Sequence, residues 1–406
     1  MNNKFYFPSI RSNVDSFYVM SLLSKASNLE KKGKEIFHFE LGEPQISTPQ
    51  PIISEIKSLL KLNLPGYTPS NGIEKLRLKV SNFYFNKYKI DLNPDQIFIT
   101  NGSSGAFLLS FISAFDPGKK VGIFNPVYPA YRNILKSLSI EVVEISSSDD
   151  CKDIINLKDV EKFRNLDGLI ISNPNNPNGQ VFANKELKYI YDFCEKNKIM
   201  LIVDEIYHGI EYQQRSKSIL NFGLNAFVIN SFSKYFCMPG WRLGWAVVPK
   251  KLQDNFLKLS QNLFISTGNI SQYSALKAFD CIDYFDRIVN SYRVNRKLIT
   301  KELKKIKKIK FNEPMGAFYF YLNIEDFKLN SIELSNKILN EIGVVVTPGN
   351  DFDKIYGSQF IRLAFSGKNK NQEKKKTILV KKIMKKLCQL KNLKKRKNLK
   401  KLIVKQ

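Results

Sequence analysis

Histidine is scarce: His38 and His208 are the only two in 406 residues. That leaves little for a zinc cluster and few candidates for the base of a Ser-His-Asp triad. The turn Gly102-Ser103-Ser104-Gly105 also lacks the G-x-S-x-G spacing of a hydrolase elbow. Five cysteines (Cys151, Cys194, Cys237, Cys281, Cys388) are scattered without a C-x-x-C pair. Reduced thiols are expected rather than a disulfide framework. No apolar run has the length to span a bilayer, and Met1 to Pro8 carries no h-region of a secretory signal, so a cytoplasmic protein is expected. Leu201-Ile202-Val203-Asp204-Glu205 resembles the metal-binding strand of a P-loop NTPase, but no G-x-x-x-x-G-K-[ST] exists to serve it. No metal site is expected.

Acids are also in deficit, 37 Asp and Glu against 64 Lys and Arg, a formal net charge of +27. Between Lys368 and Lys405, 16 Lys and one Arg face the single acid Glu373, so that stretch carries +16 and the rest +11. Within it Leu379, Val380, Ile383, Met384, Leu387 and Leu390 recur at three and four, one stripe of an amphipathic helix over 377–390. Residues 391–406 read as a basic C-terminal extension, a solvated surface that could bind a polyanion.

What is present is a chain long enough for two domains, 43% hydrophobic, with strand and helix patterns in alternation. Helices are predicted over 17–32, up to Leu60, from Ile73 to Tyr88, and from Ala106 to Phe115. Short apolar runs at 97–100, 121–124, 142–145, 168–171, 200–203, 226–230 and 243–248 read as buried strands. This is the pattern of an α/β fold with a mostly parallel sheet covered on both faces. Further strands at 35–41, 316–322, 343–349 and 360–366 suggest a smaller α+β domain built from both ends of the chain. The expected boundaries are a large domain at 46–289 and a small one at 1–45 plus 290–390.

Polar residues gather just past several strand ends, where an open α/β sheet binds ligands. Asn173-Pro174-Asn175-Asn176-Pro177-Asn178-Gly179 follows one strand, Asp204-Glu205-Ile206-Tyr207 a second, and Ser231-Phe232-Ser233-Lys234 a third, with Gly240-Trp241-Arg242 beyond. A primary amine in a pocket that lowers its pKa is a nucleophile for aldehydes and, once released, a general base. The small-residue turn 101–105 opens a helix whose free N–H groups suit a phosphate. Arg362 stands in the middle of an apolar run, and a buried guanidinium requires an anion or several acceptors.

Together with Tyr67-Thr68-Pro69-Ser70-Asn71-Gly72, these motifs resemble the class I/II pyridoxal-phosphate aminotransferases, most of all the aspartate, alanine and aromatic branch, over residues 11 to 390. The resemblance implies that Lys234 holds pyridoxal 5'-phosphate covalently and then shuttles the substrate proton. Asp204 would face the pyridine nitrogen, Tyr207 and Asn176 the ring oxygen, and Tyr128 would stack on the ring. Backbone at Ser103, Ser104 and Gly105, with Ser231 and Arg242, would hold the phosphate, as would Tyr67 from the other subunit of a homodimer. Arg362 and Gly42 would take the carboxylate of the substrate, and Asn176 would also bind the substrate. The implied reaction exchanges an amino group between an L-amino acid and a 2-oxo acid. A same-fold lyase or condensing enzyme is the alternative, and no motif chooses the amino donor.

Overall fold

The computed structural model describes residues 7–61, 66–146, 161–213 and 215–367. The stripe over 377–390 and the extension 391–406 lie outside the described residues. The chain divides into two compact units: Met1–Ser16, Glu43–Val289 and Met315–Ala317 form one, and Phe17–Gly42, Asn290–Pro314 and Phe318–Gln406 the other.

Strands are numbered in chain order; β1 (Phe37–His38) belongs to the second unit. The first unit holds β2 (Ile97–Thr100), β3 (Lys120–Asn125), β4 (Glu141–Ser146), β5 (Gly168–Ser172), β6 (Met200–Asp204), β7 (Phe227–Ser231) and β8 (Gly244–Val247). They form one sheet in the order β2-β8-β7-β6-β5-β3-β4. Neighbours from β7 through β4 are parallel, and β8 runs against both β7 and β2. Period two sorts the side chains. Ile123, Ile170, Ile202, Phe227 and Ile229 join one cluster with Phe107, Phe111, Tyr131, Leu135 and Phe256 from the helices Gly102–Ala114, Pro129–Ser137 and Gln253–Phe264. The alternate residues Leu169, Ile171, Leu201, Val203 and Val228 are also buried, and helix Asn184–Asn197 packs on β6. Each large apolar side chain so buried contributes roughly 1.5–3 kcal/mol.

In the second unit β1 pairs in parallel with β10 (Val344–Val345). An antiparallel sheet joins β11 (Thr347–Pro348), β12 (Phe360–Ala364) and β9 (Tyr319–Asn323). Helix Tyr18–Lys31 packs Leu22 and Ala26 against Leu339 and Val345. The carboxylate of Asp351 accepts the first helical N–H groups, from Tyr18 at 3.1 Å and Val19 at 3.2 Å.

Several expected elements shift. The helix expected from Ala106 already begins at Gly102. The strand expected over 35–41 shrinks to Phe37–His38 because Phe39 leaves the ladder: its N–H donates to Val345 O while its carbonyl accepts from Ala364, so the chain passes between two sheets. The run 343–349 splits at Val346 for the same reason, its first half pairing with β1 and its second with β12. The run 316–322 starts only at Tyr319, since Ala317 has a φ of +53° and donates to Ile210 O. Among the described residues no helix is long and apolar enough to cross a membrane.

Candidate active site

Because β5, β6 and β7 are parallel, Ser172, Asp204 and Ser231 end at the same edge of the sheet. Antiparallel β8 begins at that edge, with Gly244 opposite both Ser231 and Thr100. One edge therefore collects Asn173 to Asn178, Asp204 to Tyr207, Ser231 to Lys234, Ser103 to Gly105, and Arg242.

The lysine turn is held from below. Phe232 and Phe236 are buried on both sides of half-buried Lys234, and their rings lie 5.1 Å and 6.3 Å from Trp245. Cys237 N donates to Lys234 O at 3.2 Å, Met238 N to Phe232 O at 3.0 Å, and Tyr235 Oη to Asp286 Oδ1 at 2.6 Å. The backbone is thus tied, and Nζ lies 6.0 Å from the centre of the Tyr207 ring.

Asp204 is 1% exposed. Its Oδ1 accepts the N–H of Ile206 at 3.0 Å, and its Oδ2 accepts the hydroxyl of Tyr131. Burial pushes its carboxyl up to about 6, while the Tyr131 and Ile206 donors and the Lys234 cation pull it down. An ionised carboxylate in this position favours a cation, which is what a protonated pyridine presents. Tyr131 escaped the sequence reading, since Tyr131 and Leu135 at a spacing of four look like ordinary core on one helix face.

The anion seat rests on close backbone packing. At Gly102, with φ +67°, an added Cβ would fall 2.6 Å from Arg242 Nη2. At Gly244 it would fall 2.8 Å from Asn230 O and 2.9 Å from Ser103 N. Only glycine lets the first turn of the helix, the strand and the guanidinium approach this way. Arg242 itself is exposed, held by Nη1 donating to Pro239 O at 3.2 Å. Ser231 Oγ accepts from Ser233 N at 3.1 Å and lies 2.9 Å from Ser233 Oγ. The helix N-terminus, two hydroxyls and a guanidinium suit a phosphate.

Asn175 Nδ2 donates to Pro126 O at 3.1 Å and to Asn178 Oδ1 at 3.0 Å, fixing the asparagine loop against the one that carries Tyr128. Asn176 and Tyr207 are buried, and Tyr128 is half-buried with its ring edge-on to Tyr131 at 5.5 Å. Tyr67 is 80% exposed. Its loop lies against residues 265–269, through Ser70 Oγ donating to Ile265 O and Asn269 Nδ2 donating to Gly66 O at 3.1 Å.

In the second unit Arg362 is 5% exposed at the centre of β12, its guanidinium between the rings of Tyr319 and Phe352 at 4.4 and 4.7 Å. Nη2 donates to Glu40 O at 2.6 Å and Thr347 Oγ1 at 3.3 Å. A Cβ on Gly42 would fall 2.5 Å from Tyr319 Oη. Glu40, fully buried, accepts from His38 Nδ1 at 2.7 Å, and Glu30 faces His38 Nε2 at 3.1 Å. The Glu40 hydrogen bond, with the charges of both acids, raises His38 to about 9 against the pull of burial.

A valine–pyruvate aminotransferase of Mycobacterium tuberculosis is 35% identical over 364 residues, 88% of this chain and 94% of that protein. A (5-formylfuran-3-yl)methyl phosphate transaminase of Methanocaldococcus jannaschii is 37% identical over 375 residues, covering 88% of this chain and 94% of its own. The crystal structure of an aminotransferase from Mycobacterium tuberculosis superimposes with a TM-score of 0.88 at 33% identity, over 94% of this chain and 98% of that one. The family described as aminotransferase class I and II matches residues 34–375, and the chain belongs to it.

Proposed function

We propose that this aminotransferase uses pyridoxal 5'-phosphate to exchange an amino group between an L-amino acid and a 2-oxo acid, as a cytoplasmic homodimer. The observation that carries the reading is the convergence of Lys234, buried Asp204 and the Gly102–Arg242 anion seat on one sheet edge. Each part fits a different portion of the cofactor: an amine for its aldehyde, a carboxylate for its ring nitrogen, and N–H groups with a guanidinium for its phosphate. When bound, the cofactor supplies an aldehyde for the amino group and a ring that withdraws electrons from the substrate Cα.

The chain's own residues do the rest. Lys234 Nζ would hold the cofactor through its aldehyde carbon and, once the substrate amino group displaces it there, would take the Cα proton and return it to that same cofactor carbon. Asp204 keeps the ring nitrogen protonated, Tyr207 and Asn176 hydrogen-bond the ring oxygen, and Tyr128 stacks on the ring. Ser103, Ser104, Gly105, Ser231 and Arg242 hold the phosphate, and Tyr67 of a second copy completes that seat. Arg362, with the backbone at Gly42, binds the substrate carboxylate, the guanidinium as a bidentate partner, and Asn176 is a further substrate-binding residue. Cofactor binding falls to a domain over 46–289, and carboxylate binding to one built from 1–45 and 290–390. The exposed apolar side chains Ile10, Leu60, Tyr67 and Ile265 of the first unit support burial by a second copy.

Relatives named for valine with pyruvate and for a furan phosphate share the amino-transfer step and differ in substrate. They favour transfer over elimination. The test is a visible spectrum of the protein with pyridoxal phosphate, followed by a panel of L-amino acids. Bleaching of the visible band with formation of the matching 2-oxo acid is expected. Release of ammonia in place of a transferable amine would overturn the reading in favour of a lyase.

A further inference from the structure

Tyr131 Oη donates to Asp204 Oδ2. The reason lies in period two along β6, which puts Asp204 on the same face as Ile202, the face covered by helix Pro129–Ser137. That helix is clamped. Buried Arg132 makes a two-pronged pair with Glu144 of β4, Nε to Oε1 at 2.6 Å and Nη2 to Oε2 at 2.8 Å. Asn125 Nδ2 adds a third bond to Glu144 Oε2 at 2.7 Å. The Tyr131 ring packs 4.8 Å from Phe107, and its hydroxyl donates to Asp204 Oδ2 while Ser172 also lies within hydrogen-bond reach. Burial keeps that phenol protonated far above neutral pH, so it is a donor whenever the enzyme works.

We propose that Tyr131 is a positioning residue for amino transfer: its hydroxyl holds the Asp204 carboxylate ionised and in one orientation for the cofactor's ring nitrogen. This rests on the pyridoxal-phosphate reading. The other groups facing Asp204 do not duplicate it. Ser172 on β5 lies beside Asp204 in register, and its hydroxyl donates to Pro174 O at 3.1 Å; Lys234 beyond β7 contributes charge at a distance and is consumed in holding the cofactor. Glu205, the residue that follows β6, donates nothing to Asp204 and its charge opposes that of the Asp204 carboxylate. Ile206 N–H serves the other carboxylate oxygen, so without Tyr131 one oxygen is buried with no donor and the carboxyl protonates at higher pH.

Tyr131→Phe keeps the ring packing and deletes only the donor. The measurement is pyridoxal-phosphate affinity of the apoprotein by fluorescence titration from pH 5 to 9, with wild type, Tyr131→Phe, Asp204→Asn and the double variant. One hydrogen bond to a charged group is worth about one pKa unit, so the acid limb of binding should move up by about one pH unit, tenfold in affinity on that limb. At pH 9, where Asp204 is ionised in both proteins, the affinities should converge. In the Asp204→Asn background the substitution should change nothing. An unmoved acid limb, or an equal loss in both backgrounds, overturns the positioning role while leaving the cofactor reading intact. Wild type that binds no pyridoxal phosphate overturns both.

Discussion

Gly102→Ala separates the strain of a backbone from the displacement of a side chain, because Gly118 offers a matched control. Gly102 has φ +67° and Gly118 φ +84°, so alanine at either site is forced into the left-handed region at a cost of about 1–2 kcal/mol. Around Gly118 nothing lies within 4 Å of an added Cβ, whereas at Gly102 it would meet Arg242 Nη2 at 2.6 Å and Cζ at 3.1 Å. The obstacle is the far end of a flexible side chain, so the fold survives and the guanidinium moves. Losing one charge-assisted hydrogen bond to an anion costs about 1.5–3 kcal/mol, and each 1.4 kcal/mol is tenfold in affinity. Pyridoxal phosphate should therefore bind the Gly102→Ala apoprotein roughly ten- to a hundredfold more weakly than wild type. Gly118→Ala should bind it normally, with a comparable fall in melting temperature. Fluorescence titration and thermal unfolding of both variants provide the comparison. Equal cofactor affinity in the two would refute the anion seat at Arg242.

Lys234→Ala should abolish transamination yet leave a folded protein that binds the cofactor; borohydride treatment and mass spectrometry should find no covalent adduct, and near-normal turnover would remove Lys234 from the mechanism. Arg362→Ala should raise the KM for amino acids and 2-oxo acids roughly ten- to a hundredfold by losing a paired, charged contact, with cofactor affinity unchanged. An unchanged KM would end its role as the carboxylate clamp. For His38 the sign follows from a folded pKa raised from 6.5 to about 9 between Glu40 and Glu30. Its contribution is fully present below pH 6.5 and fades as pH rises through about 9. Melting temperatures of wild type and His38→Gln should differ most near pH 6 and converge near pH 10; a gap independent of pH would refute the ion pair.

Much of the site was legible because its residues follow strands in the chain, and a parallel sheet brings strand ends together whatever the loops do. Lys234, Asp204 and the asparagine loop needed only that rule. The seat at Gly102 was half legible. Its small residues suggested a phosphate, but the helix begins four residues earlier than hydrophobic periodicity placed it, since Gly102, Ser103 and Ser104 carry no apolar signal. Elements in the second unit were harder, because the runs at 35–41 and 343–349 each serve two sheets and a strand pattern cannot show where a chain changes partner.

Tyr131 marks where the reading of a sequence stops for a physical reason. Along β6 the alternation of Ile202 with Leu201 and Val203 tells which residues share a face with Asp204, but not which helix covers that face. Along its own helix Tyr131 belongs to an apolar stripe with Leu135, and a tyrosine in such a stripe is usually core. The two patterns become one fact only when the crossover after β3 lays helix Pro129–Ser137 over the face that bears Ile202, and Arg132 locks it to Glu144. The hydroxyl then meets the only carboxylate that ends β6. A buried phenol needs an acceptor and a buried carboxylate needs a donor, so each group satisfies a requirement that neither segment reveals alone.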